Sequence, residues 1–134
     1  MITEDYVSFE TAKLLKEKGF DEDCHAHWDL TTETKTPKIG LSVSSKNWNY
    51  KWNPIQFPIS APTHQMAMKW LREVHNIFIV IEPHMYDYIN EKNSSYVASL
   101  WQGDNYYENI ISKDCPTYEE TVEAAIKYCL ENLI

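Results

Sequence analysis

Apolar side chains recur along this chain with two different periods, and this alternation of periods narrows the possible folds more than any other feature. From Cys24 to Leu30 they alternate strictly, with Cys24, Ala26, Trp28 and Leu30 on one side and His25, His27 and Asp29 on the other, the period of a half-buried strand. From Tyr118 onward the period is helical, and Tyr118, Val122, Ala125, Ile126, Cys129 and Leu133 trace one stripe toward the C-terminus. A chain that carries both periods in separate segments holds helices and strands together, and the order in which they come points to the α+β class.

Local signals fill in the order. Ser8 is placed to cap a helix over Phe9 to Lys18, and Gly19 supplies its left-handed stop, which turns Phe20 back toward Leu15. Thr31 to Pro37 is a polar loop and Lys38 to Val43 a short strand. Trp48, Tyr50 and Trp52 alternate with Asn47, Asn49, Lys51 and Asn53, suggesting a further strand that Pro54 and Pro58 end. A second helix is predicted to open at Ser60-Ala61-Pro62, with Ala67, Trp70, Leu71 and Val74 facing a core. The apolar run Ile77 to Ile81 reads as a strand central in its sheet, and Tyr96 to Trp101 as its hairpin partner across a turn at Asn90 to Ser95, with Tyr86 to Ile89 either continuing the first strand or standing apart. Thr117 and Glu120 form a capping box for the third helix. The expectation is a single domain over residues 1–134, an antiparallel sheet of about four to five strands packed with three helices in the order α-β-β-(β)-α-β-β-α.

Composition sets the class of environment. No apolar run approaches the roughly 20 residues that span a bilayer, and the acidic start lacks the basic and then apolar pattern of a signal peptide, so a cytoplasmic location away from membranes is expected. Cys24, Cys115 and Cys129 are scattered and odd in number, which fits reduced thiols. The formal net charge of −8 is unevenly spread. Between Thr34 and Arg72 there is no acid, while Lys35, Lys38, Lys46, Lys51, Lys69 and Arg72 are all basic; the flanks carry the negative charge.

Three stretches together carry a resemblance: YVSFETAKLLKEKGF from Tyr6 to Phe20, SAPTHQMAMKWLREVH from Ser60 to His75, and YEETVEAAIKY from Tyr118 to Tyr128. They resemble small phage and prophage proteins of gut Bacteroides-type bacteria, a group with no established activity. The helix, hairpin, helix order of the second half is also loosely similar to phage α-β-α sandwich domains. The resemblance covers about half of the chain, omits Asp21 to Ile59, and implies a context without a mechanism. It transfers no site residues.

Two constellations could carry chemistry. His25-x-His27-x-Asp29 puts two imidazoles and a carboxylate on one strand face, the donor set of a zinc or other divalent site with an open position. As a solvated polar strand face the same three residues would do nothing chemical. The second candidate is the acid-free stretch holding Lys46, Trp48, Tyr50, Lys51 and Trp52, since aromatic rings stack on bases and lysines hold phosphates. The overall negative charge opposes polyanions at long range, and the same aromatics could equally pack under a helix. With three glycines in the chain, a phosphate-cradling or oxyanion loop has little to be built from. The sequence thus favours a binding module over an enzyme, without a cofactor and with a protein partner or self-association ahead of nucleic acid. A zinc enzyme on the His25, His27 and Asp29 face and a self-assembling protein are the alternatives.

Overall fold

The computed structural model describes residues 1–30, 36–49, 58–85, 94–111 and 117–134. The chain is α+β, with three helices and two antiparallel three-stranded sheets among the described residues. It divides into two compact units, Met1–Met66 and Ala67–Ile134. Two small sheets therefore replace the one larger sheet expected from the sequence.

The N-terminal unit holds α1 (Phe9–Glu17), β1 (Cys24–Leu30), β2 (Pro37–Lys46) and β3 (Ile59–Ser60). Ser8 caps α1 by accepting the Thr11 N–H at 3.2 Å. At the other end Gly19 takes φ +94, and the Gly19 and Phe20 N–H groups reach the Lys16 and Leu15 carbonyls at 3.1 and 2.9 Å. That pair of bonds is the Schellman stop, and it buries Phe20 with Leu15 as the sequence implies. β1 lies between its two partners in the order β2-β1-β3. Its inner face holds Cys24 and Ala26, and Trp28 packs edge-on to Phe9 at 6.1 Å while its indole N–H donates to Val7 O at 3.0 Å.

Residues 59–63 are extended rather than the start of a helix. Ile59 and Ser60 pair with β1, Thr63 forms a bridge to Tyr6, and Pro62 O accepts the Val7 N–H at 3.0 Å. α2 (His64–His75) begins after Pro62, with Thr63 Oγ1 accepting the Met66 N–H at 3.1 Å as its cap. The proline thus precedes the helix instead of opening its first turn.

The C-terminal unit continues α2 and adds β4 (Ile77–Met85), β5 (Ser94–Gln102), β6 (Asn105–Ile111) and α3 (Tyr118–Asn132). Ala67, Trp70 and Leu71 are buried as the helical period predicts, but Val74 is exposed. Asn76, at φ 56, turns the chain sharply from α2 into β4. The strands form a meander in the order β4-β5-β6, so the apolar run from Ile77 lies at a described edge of the sheet and the central strand is β5. Burial agrees: Val97, Ala98, Ser99 and Leu100 are all buried, whereas Phe78 and Val80 on β4 are exposed. An edge position also explains how Pro83, which has no N–H to give, lies within β4.

β6 was not foreseen from the sequence. It follows β5 through Gly103-Asp104, a two-residue hairpin loop with Gly103 at φ +61. α3 packs against all three strands and buries Thr121, Val122, Ala125, Ile126, Cys129 and Leu130. Thr117 caps it by accepting the Glu120 N–H at 3.1 Å. Tyr118 and Leu133, assigned to the stripe from the sequence, lie at its margins, Tyr118 exposed and Leu133 half-buried. Among the described residues no helix is long and apolar enough to cross a membrane.

Candidate functional site

The structure joins members of the two sequence candidates into one cluster in the N-terminal unit. His27 projects from β1 on the face opposite the core. Its Nε2 lies 2.9 Å from Asp29 Oδ2, and its ring lies 4.1 Å from the Trp48 indole with an interplanar angle of 32°. Lys46 Nζ lies over the same indole at 4.1 Å from its centroid. The result is a row running from a cation through two rings to a carboxylate.

Each member has a reason for its position. The His27 ring lies over Gly40, its register partner on β2, where an added Cβ would come within 2.7 Å of Nε2. The glycine makes room for the imidazole, the close-approach role of a glycine inside a strand. Trp48 lies in a turn after β2, not on the strand that alternation suggested, because its polar groups are tied elsewhere. Its indole N–H donates to Cys24 O at 2.8 Å and its backbone N–H to Ser60 Oγ at 3.0 Å. Asn49 completes the mooring: its amide donates to Phe20 O at 3.0 Å, and its carbonyl accepts the Ser60 N–H at 3.0 Å. Gly40, Asn49 and Ser60 were not picked out from the sequence; a glycine within a predicted strand was the available signal for the first. Tyr50, Lys51 and Trp52 lie outside the described residues.

His25 takes a separate course. It is exposed, and its Nδ1 lies 3.1 Å from Ser42 O where the β1–β2 register is irregular. Among the described residues no group of three or more His, Cys, Asp or Glu is arranged to hold a metal ion. His27 Nδ1 is buried without a hydrogen-bond partner among the described residues.

The two described thiols are shielded rather than activated. Burial pushes Cys24 up to about 12, with Asp23 and Glu22 adding in the same direction, and burial likewise pushes Cys129 up to about 12. Cys115 lies outside the described residues. The Trp48 ring, already carrying a cation and an imidazole, has little π surface left for a nucleobase. No protein-family model matches the chain, and no curated protein or solved structure matches it either.

Proposed function

We propose that the chain is a small phage or prophage accessory protein that acts as a non-enzymatic binding module for a protein partner, through the β1–β2 side of the N-terminal unit. The observation that carries this reading is the convergence of Lys46, Trp48, His27 and Asp29 in one chain of close contacts. Long side chains held by aromatic contact and backbone hydrogen bonds are pre-organised, which lowers the entropy lost on association. Aromatic and charged groups side by side also make the mixed surface that protein interfaces favour.

Native mass spectrometry of the freshly purified protein tests it, since one spectrum reports subunit number, bound metal and co-purified partner. The expected result is a partner mass that disappears in Lys46→Glu, with circular dichroism unchanged. A chain that stays bare under all conditions refutes the reading. Self-association is supported by a separate observation: Phe78, Trp101 and Tyr106 line up in register across the second sheet, all exposed, with the Trp101 and Tyr106 rings 4.8 Å apart. That reading predicts a stable oligomer dispersed by Trp101→Lys.

A further inference from the structure

The sheet of the N-terminal unit stops at β2, whose described neighbour is β1 alone. Which of its backbone groups lie free follows from antiparallel alternation. The Ala61 N–H donates to Ala26 O at 3.0 Å, so Ala26 and Trp28 direct their backbone groups toward β3. His27 and Asp29 then direct theirs toward β2, where their register partners are Gly40 and Lys38. Ile39 and Leu41, the alternate residues, turn N–H and C=O outward from the sheet.

The side chains of this edge are equally distinctive. Ile39 and Leu41 are the register partners of Trp28 and Ala26 and share their apolar face. Yet Ala26 is fully buried, while Ile39 is 42%, Leu41 68% and Val43 102% exposed. The apolar face of the sheet runs past the part that the unit itself covers. On the other face Lys38 stands beside Asp29, and β2 carries Lys38 and Lys46 with no carboxylate of its own.

We propose that the edge of β2 left open among the described residues docks an extended strand of a protein partner in which apolar and acidic residues alternate. The inference rests on the binding-module reading and names the partner's chemistry. A strand added to this edge would satisfy the outward groups of Ile39 and Leu41 through main-chain hydrogen bonds. Its period of two would place every second side chain beside Ile39 and Leu41 and the intervening ones on the Lys38 side. Charge selects among strands: β2, with Lys38 and Lys46 and no carboxylate, meets acids favourably, whereas a second copy of β2 would add lysines and no carboxylate. The lysines that deter pairing of like edges thereby admit an acidic one.

The test titrates the full chain with a short synthetic peptide alternating valine and glutamate, followed by amide NMR and calorimetry. Binding should protect the Ile39 and Leu41 amides and weaken with added salt. Replacing glutamate by lysine in the peptide, or Leu41→Pro in the protein, should each weaken binding by about tenfold or more. Because Leu41→Pro could also disturb folding, an N-methylated peptide is titrated against the unaltered protein, and it should lose binding to a similar degree. Equal binding of the lysine or N-methylated peptide, absence of protection at Ile39 and Leu41, or a dimer paired through β2 overturns the proposal. If a partner co-purifies with the wild-type chain while the peptide leaves β2 untouched, the edge proposal fails and the binding-module reading survives. Failure of both measurements removes both.

Discussion

The two units are built from the same parts, helices and a three-stranded antiparallel sheet, but are held together differently. In the C-terminal unit β4 and β5 pair without interruption from Ile77–Gln102 to Met85–Ser94, and α3 lies over the sheet with six buried residues. In the N-terminal unit β3 has two residues, β2 leaves register with β1 beyond Leu41, and side chains of Trp48, Asn49 and Ser60 make bonds that a ladder would otherwise supply. The C-terminal unit is explained by burial of apolar area. The N-terminal unit adds specific polar contacts to its buried Val7, Leu15, Phe20 and Ile59, and these fix one arrangement of the chain around them.

The largest expected effect lies in the packed unit. Ile126→Ala removes a fully buried side chain of α3 and should cost about 3 kcal/mol in urea unfolding, with earlier exchange of the β5 amides. A loss below about 1 kcal/mol would mean that apolar packing does not set this unit's stability. Next comes Gly40→Ala, whose Cβ would meet His27 Nε2 at 2.7 Å. It should cost about 2 kcal/mol and shift the Trp48 indole N–H resonance, because the displaced imidazole leaves both Trp48 and Asp29. An unmoved resonance would detach His27 from the cluster. Thr117→Ala, which removes the cap of α3, should cost about 1 kcal/mol.

The smallest effect is a pH dependence. Burial lowers the pKa of His75 from 6.5, and its ring lies edge-on to Trp70 at 4.7 Å. The unfolded chain therefore takes up the proton first, so stability should fall as pH drops below 6.5, until the folded-state pKa is passed. His75→Phe should flatten that part of the profile of melting temperature against pH; an unchanged slope would assign it to other groups.

Capping and periodicity made much of this architecture legible. Ser8, Gly19, Thr117 and the α3 stripe act within a few residues of themselves, so their consequences can be read without knowing the tertiary structure. What escaped depends on distant partners. The run from Ile77 to Ile81 has the composition of a doubly covered strand, but its place at an edge is decided by β5, whose serine and alanine give a weak signal. β6 had a usable mark in Gly103-Asp104. In the candidate site, the face shared by His27 and Asp29 was readable from alternation, whereas the contact with Trp48 was not, since it depends on a turn moored to Cys24 and Ser60.

Among the described residues each unit contains one deeply shielded thiol, Cys24 in the N-terminal unit and Cys129 in the C-terminal one. Shielding of this kind turns a cysteine into a clock. A small alkylating reagent can reach either sulfur only while the surrounding structure is transiently open, so the rate of modification at each position, separated by peptide mass mapping, measures how often that unit opens. The chain thus carries its own pair of reporters for comparing the opening of its two halves under native conditions, without a substitution or a dye.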